Sequence, residues 1–176
     1  EGTIRNSVIA VSVASLFVMI YVLYAFRRLE KSHRFAVSAV LTLIHDVILV
    51  TGIYALLGHI FGLQVNSVFI VALLTVIGYS VNDTIVIFDR IRENQIKFPD
   101  NNYVANINVS INESIIRSIG TSLTTLLVLF SMLILGGATL REFIVVLILG
   151  VIVGTYSSIF IASQFLIIWE DGIKKN

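Results

Sequence analysis

The sequence contains no cysteine and only one proline, Pro99, and charged residues make up 13% of its 176 positions. Without cysteine, the chain has no disulfide, no thiol nucleophile and no cysteine-ligated metal. The charged fraction is about half that of an ordinary soluble domain, whereas 57% of the residues are hydrophobic. Such a chain has too few polar side chains to cover a water-exposed surface, so much of its surface faces something other than water. The net charge of +1 gives no general attraction for nucleic acid, and no nucleic-acid partner is expected.

Five apolar segments are long enough to cross a membrane. A helix needs about 20 mostly apolar residues to span a hydrocarbon core of about 30 Å. These runs are too long for strands and lack strand-like alternation, so helices are expected. The sequence therefore predicts an all-α polytopic membrane protein, built as a bundle of five transmembrane helices. The predicted spans are about 8–26, 35–57, 65–88, 115–135 and 143–169.

Lysine and arginine are distributed unequally between the two sides of these spans. Ten of the twelve fall on one side, and the side richer in basic residues is normally cytoplasmic. We therefore predict an outside amino terminus, a cytoplasmic carboxy terminus and short outward connections. The ten are Arg27, Arg28, Lys31, Arg34, Arg90, Arg92, Lys97, Arg117, Lys174 and Lys175, and the other two are Arg5 and Arg141.

The largest polar segment, about 89–114, is cytoplasmic in this arrangement. Its first residues, Asp89 to Glu93, are predicted to extend the third helix beyond the membrane. Apolar residues then recur at helical spacing over about 103–114. This pattern predicts an amphipathic helix that lies on the membrane face before the fourth span.

Two aspartates, Asp46 and Asp83, fall inside predicted spans. An aspartate near the centre of a membrane helix costs on the order of 3 kcal/mol, so each either serves a function or makes a buried structural hydrogen bond. His45 precedes Asp46, and neighbouring helix positions project about 100° apart, so the two are not expected to share a ligand site. The sequence has no His-Glu-x-x-His motif and no phosphate-binding glycine loop, so no metal, cofactor or catalytic residue is expected.

Small and polar residues form a stripe on each of the last four spans. Small residues let helices approach closely, and hydroxyl groups form hydrogen bonds across the contact. On the fifth span we interpret Gly150 and Gly154 as helix-packing positions, followed by Ser157, Ser158 and Ala162. The stripes of the other three spans differ because they also carry charge. They comprise Ser38, Thr42, His45, Asp46 and Gly52; Tyr79, Ser80, Asn82, Asp83 and Thr84; and Arg117, Gly120, Thr121, Thr124 and Thr125.

The stretch Gly78 to Asn94, with the sequence GYSVNDTIVIFDRIREN, closely resembles the signature of the SecF family of bacterial protein-export proteins. The resemblance covers essentially the whole chain. Further matching pieces are His45-Asp46, Ser110 to Ser114, Thr121 to Leu126, Gly136-Gly137 and Val153 to Ile159.

This resemblance implies a fold related to the RND-superfamily permeases and a multi-pass protein of the bacterial inner membrane. It implies an auxiliary, non-enzymatic subunit that uses the proton-motive force to complete preprotein translocation. The implied partners are SecD, the SecYEG channel, YidC and YajC, together with preprotein substrates, membrane lipids and protons. The family has six helices, with an extracytoplasmic domain between the first two. Residues 1–176 are therefore expected to form a SecF-like transmembrane domain without the first helix and that domain. The opening Glu1-Gly2-Thr3, which has no initiator methionine, fits a piece of a longer protein.

The resemblance also assigns roles to individual residues. In the family, the aspartate of the Asn-Asp pair and the arginine that opens the next helix serve proton transport, and these are Asp83 and Arg117 here. Asp46, which we predict about 7 Å deeper than Asp83, is expected to support the site without carrying the proton. The other supporting polar residues are His45, Ser80, Asn82 and Thr84.

Two other functions remain open. An RND-type proton-coupled exporter of small molecules or lipids would use the same charged helices. A purely structural membrane scaffold fits less well, because a scaffold has no need of Asp83.

Overall fold

Six α-helices account for nearly all of the residues that the structure describes, which are 2–27, 32–63, 65–137 and 140–174 of a computed structural model. Five stretches within these helices are long and apolar enough to cross a membrane, and the fifth continues from α5 into α6. The predicted all-α polytopic fold with five spans is confirmed. The helices are α1 (Gly2–Ala25), α2 (Ser32–Phe61), α3 (Ser67–Lys97), α4 (Tyr103–Leu135), α5 (Arg141–Phe160) and α6 (Ala162–Lys174).

Asparagine side chains cap the two longest helices. Asn66 accepts a 3.0 Å hydrogen bond from the backbone N–H of Phe69 at the start of α3, and Asn102 accepts one of 3.1 Å from Val104 at the start of α4. Each cap satisfies a backbone donor that the first helical turn leaves unpaired. The preceding α2–α3 connection turns at Gly62, whose φ of 74° is readily adopted only by glycine.

Helix α3 occupies the centre of the bundle and packs most closely against α5. Gly150 lies directly against the Val76 methyl groups, and a side chain at Gly154 would place its first carbon 3.0 Å from Cβ of Ser80. Because glycine has no Cβ, the two backbones can approach closely enough for polar side chains to bond between them.

Two apolar clusters lie on either side of a polar layer. Toward the cytoplasmic side predicted above, Phe26, Phe35 and Phe88 form a stacked and edge-on aromatic group. Toward the other side, the rings of Tyr54 and Phe69 lie 4.7 Å apart. Between these clusters α3 presents buried hydroxyl groups, so a polar layer separates the two apolar clusters.

The polar segment 103–114 differs from its prediction. It is not a separate helix lying on the membrane but the first part of α4, and it packs against the extended end of α3. Asn94 donates hydrogen bonds to Ser110 at 2.9 Å and to Glu113 at 2.7 Å, and Arg90 donates one to Glu113 at 2.8 Å. The asparagine-rich sequence looked polar enough for a surface helix, but Ser110 accepts a hydrogen bond from Asn94 of α3, and the Asn106 amide donates to the backbone oxygen of Phe98 just after α3. The hydrogen bonds from Asn94 and Arg90 hold the pKa of Glu113, which lies beyond the apolar spans, below its ordinary value.

The last predicted span, 143–169, is divided into two helices at Ile161. The backbone hydrogen bonds nevertheless continue through this position, from Ile161 to Ser157 at 2.8 Å and from Phe165 to Ile161 at 3.1 Å. No glycine or proline marks the division in the sequence.

Candidate functional site

Asp46 is a buried carboxylate held by residues from two helices. Only 2% of its surface is exposed. Ser80 of α3 donates a hydrogen bond to its Oδ2. His45 Nδ1 lies 3.1 Å from Oδ1 of Asp46, so these neighbouring side chains meet, although their helical positions predicted divergence. Asp46 therefore joins α2 to α3.

Asp83 is half-buried, and its two oxygens have different surroundings. Ser118 of α4 donates a 2.7 Å hydrogen bond to Oδ1. Oδ2 is buried and has no hydrogen-bond partner among the described residues. A buried carboxylate oxygen without a donor is costly. The site therefore has an unfilled hydrogen-bonding position at Oδ2.

Hydroxyl groups connect the helices around the two aspartates. Ser158 lies 2.9 Å from Oγ1 of Thr84 and donates to the backbone oxygen of Ser80 at 3.3 Å. One turn closer to the outer side, Ser122 of α4 lies 3.0 Å from the Tyr79 hydroxyl and 2.5 Å from Oγ1 of Thr155. This layer joins α3, α4 and α5 through side chains that can both donate and accept.

Arg117 does not form a close ion pair with Asp83. Its side chain is exposed, and its guanidinium has no hydrogen-bond partner in the part of the chain that the structure describes. It acts on Asp83 electrostatically and lines a cavity of about 350 Å³ together with Tyr21, Asp89 and Arg92. Arg117 thus lies beside the acid, at the border between the polar layer and this cavity.

The other predicted site residues separate into inward and outward positions. Ser80 and Thr84 are buried, His45 is half-buried and Asn82 is exposed. The polar stripe predicted on the fourth span includes Gly120, Thr121 and Thr124, which are exposed in the structure. The buried face is instead made of Ser110, Ser114, Ser118 and Ser122.

Sequence reasoning did not assign Ser118 or Ser158 to the site. A single serine in a membrane helix carries no distinctive signal. The signal was the repeat at every fourth residue from Ser110 to Ser122, which places all four hydroxyl groups on one helix face. The described residues contain no cluster of histidine, aspartate and glutamate that could hold a metal ion.

Fold and site together define a helical, multi-pass membrane protein with two acids held by hydroxyl groups in a polar layer inside the bundle. Residues 1–172 match the family described as "Protein export membrane protein SecD/SecF, C-terminal". The chain belongs to this family.

The chain is also similar to individual members of the family. It is 43% identical over 169 residues to the protein translocase subunit SecF of Thermobaculum terrenum, covering 96% of this chain and 53% of that protein. It is 42% identical to the protein translocase subunit SecDF of Thermus thermophilus, covering 95% of this chain and 22% of that protein. A crystal structure of SecDF in a super-membrane-facing form superposes with a TM-score of 0.85 at 42% identity, covering 97% of this chain and 22% of that one. The chain therefore spans about half the length of the SecF protein it matches.

Proposed function

We propose that this chain is the membrane half of a SecF subunit, which works with SecD in the bacterial inner membrane and uses the proton-motive force to drive protein export. The observation that carries this proposal is the environment of Asp83. One of its carboxylate oxygens is held by Ser118 and the other is buried without a donor. Such a carboxyl group can accept a proton without first breaking a strong ion pair.

Arg117 controls the charge of Asp83 in this mechanism. A carboxylic acid in a low-dielectric environment favours its neutral form, whereas a nearby guanidinium favours the carboxylate. The exposed Arg117 side chain is free to approach or leave Asp83, because no described residue holds its guanidinium. Movement of α4 relative to α3 then switches Asp83 between proton-loaded and proton-free states. One charge that crosses 100 mV supplies roughly 2.3 kcal/mol, enough to bias a conformational equilibrium.

Exposed polar groups on α3 and α4 support a protein partner at this face. The Asn82 amide and the Arg117 guanidinium are exposed and lack hydrogen-bond partners among the described residues. Lipid chains cannot satisfy either group. We assign this face to the membrane half of SecD, consistent with the name SecDF of the Thermus thermophilus relative.

The remaining assignments rest on family membership and on the distribution of basic residues. The wider complex contains the SecYEG channel, YidC and YajC, and the substrates are preproteins. The carboxy terminus is cytoplasmic, because ten of twelve basic residues belong to that side.

Proton-gradient-stimulated preprotein export tests the proposal. The full-length protein, with SecD, is compared as wild type and Asp83→Asn in inverted membrane vesicles with equal amounts of assembled complex. Asparagine keeps the shape and the Ser118 contact but cannot carry a proton. We expect stimulation to be lost in Asp83→Asn and kept in Asp100→Asn, the same change at an exposed position between α3 and α4. Undiminished stimulation in assembled Asp83→Asn would contradict the mechanism.

A further inference from the structure

Arg117 carries a positive charge but contacts no acid in the structure. Its side chain is exposed, and its guanidinium has no hydrogen-bond partner among the described residues. In the proposed function this side chain approaches Asp83 at one stage of the cycle and leaves it at another. An arginine at the edge of a lipid core is costly without a counter-charge. The position that Arg117 adopts away from Asp83 therefore needs an acceptor of its own.

Arg117 also lines a second cavity, of about 230 Å³, between the extended ends of α3 and α4. Three residues that line this cavity are acidic, Asp89, Glu93 and Glu113, and apart from Arg117 only Arg90 is basic. Arg90 already donates to two of these acids, to Glu93 at 2.6 Å and to Glu113 at 2.8 Å. The cavity therefore has a surplus of negative charge, which attracts a second guanidinium.

Glu113 is the acid of this cavity that is best placed to accept Arg117. Its Oε2 accepts hydrogen bonds from Arg90 at 2.8 Å and from Asn94 at 2.7 Å, whereas its Oε1 accepts none from the described residues. Glu113 precedes Arg117 by four residues on α4, so the two side chains lie on the same helix face, about 6 Å apart along the axis. An acid four residues before a base is the favourable order for an ion pair on a helix.

The other two acids of the cavity belong to α3 and have basic partners on that helix. Oδ1 of Asp89 lies 3.3 Å from Nη1 of Arg92. Glu93 lies between two bases, with its Oε2 2.6 Å from Nη1 of Arg90 and its Oε1 3.9 Å from Nζ of Lys97. Glu113 is thus the acid that combines an oxygen without a partner with a place on the same helix as Arg117.

We propose that Glu113 is a positioning residue that binds Arg117 when this side chain leaves Asp83. Arg117 then alternates between two carboxyl groups that are each held through one oxygen, Asp83 by Ser118 and Glu113 by the donors of α3. Glu113 keeps Oε2 bonded to α3 throughout and offers Oε1 to the guanidinium. No covalent bond changes, and no proton moves to Glu113. This role rests on the proposed function, in which Arg117 sets the charge of Asp83.

Carbodiimide labelling tests this proposal, because the reagent attacks protonated carboxyl groups in membranes. The full-length protein with SecD is labelled in vesicles, and modified Asp83 is quantified by mass spectrometry. Glu113→Gln keeps an oxygen that accepts from Asn94 and Arg90 but removes the charge that attracts Arg117. Arg117 then spends more time at Asp83 and favours its carboxylate. We expect Asp83 labelling at neutral pH to fall by roughly twofold to fivefold, the range that a partly exposed ion pair supports.

Glu93→Gln is the matched control. Glu93 lines the same cavity and also accepts a hydrogen bond from Arg90, so this variant makes the same chemical change on the opposite wall. It leaves Oε1 of Glu113 in place and should leave Asp83 labelling at the wild-type level. An equal decrease in Glu93→Gln and Glu113→Gln, or no decrease in assembled Glu113→Gln, overturns the proposal.

A double-mutant cycle separates an effect through Arg117 from direct repulsion between the two acids. Without Arg117 there is no guanidinium for Glu113 to bind. Asp83 labelling should therefore be the same in Arg117→Met and in the double variant Arg117→Met, Glu113→Gln. A decrease that persists in the double variant would show that Glu113 acts on Asp83 directly, and would overturn the proposal.

A second variant covers a failure of Glu113→Gln to assemble. Glu113→Ala removes the same charge and places a strong helix former at this exposed position, so we expect the same decrease in Asp83 labelling. Wild-type labelling in the assembled alanine variant overturns the proposal. The readout is the protonation of Asp83 and not export. It can therefore succeed even if Asp83→Asn retains gradient-stimulated export and the proposed function fails.

Discussion

Ser118 donates a 2.7 Å hydrogen bond to Oδ1 of Asp83 from the position on α4 directly after Arg117. Because the two residues are neighbours on one helix, a shift of α4 changes the distance of both from the acid. Helix α4 therefore brings a hydrogen-bond donor and a positive charge to the same carboxyl group. The charge and the planar shape of Arg117 can be separated by substitution.

Arg117→Lys should impair gradient-stimulated export less than Arg117→Met. Lysine keeps the positive charge but loses the planar fork of the guanidinium, whereas methionine removes the charge. Because a nearby positive charge favours the Asp83 carboxylate, we expect the larger loss of export in the methionine variant. Export in inverted vesicles is the measurement, and Arg141→Met, at an exposed position at the start of α5, is the control. Equal export by the two Arg117 variants would show that the positive charge at position 117 does not determine export.

Asp46→Asn should weaken export without abolishing it. Its side-chain oxygen can still accept the hydrogen bond from Ser80, so the α2–α3 contact is largely kept. Asp46→Leu leaves Ser80 without its acceptor and should cost a further 1–3 kcal/mol or so in stability. Export and thermal unfolding of the purified complex are both measured. Complete loss of export in a well-assembled Asp46→Asn protein would make Asp46 a proton carrier in its own right.

Gly150→Ala should destabilise the bundle, because the added methyl group would overlap the Val76 side chain. Overpacking of this kind typically costs about 1–3 kcal/mol, which appears as a lower Tm in detergent. Gly120→Ala is the control, since a methyl group at Gly120 meets nothing within 4 Å. An unchanged Tm for Gly150→Ala would show that α3 and α5 are not in close contact in the membrane.

The orientation of the chain can be tested with single cysteines, because the sequence has none of its own. Asn101→Cys lies between α3 and α4, and Gly137→Cys follows α4 at its other end. We expect an impermeant thiol reagent added to intact cells to label Gly137→Cys and to spare Asn101→Cys. The reverse pattern would invert the predicted topology.

The lengths and order of the spans were predictable from the sequence. A lipid core sets a minimum length for an apolar helix, and a helix is the simplest structure that satisfies all backbone hydrogen bonds within one segment. The extent of α4 was not predictable in this way. Asn94 of α3 and Ser110 of α4 form a hydrogen bond with each other. The sequence shows that both residues are polar but does not show that they are partners. The division at Ile161 likewise has no local signal, because its backbone hydrogen bonds are retained.

Asp83, Arg117 and Asp46 stood out in the sequence because a charged residue inside an apolar run raises the free energy of membrane insertion. Their hydrogen-bond partners did not stand out. Serine costs little free energy in a membrane helix, because its hydroxyl can donate to a backbone oxygen one turn earlier, as Ser163 does to Ile159. Which serines form hydrogen bonds to an aspartate depends on how the helices pack. That packing depends in turn on glycines such as Gly154, which contacts Ser80 on another helix.

Helix α3 has 31 residues, which at 1.5 Å per residue makes it about 46 Å long, against a hydrocarbon core of about 30 Å. The excess lies at the end that Arg90 and Asn94 fasten to α4 through Glu113. In the proposed mechanism these fastened ends would move together, and a change of tilt near Asp83 would displace the distant 98–102 turn farther than the residues beside the acid. A partner that contacts only this turn would then respond to the charge of a residue it does not touch.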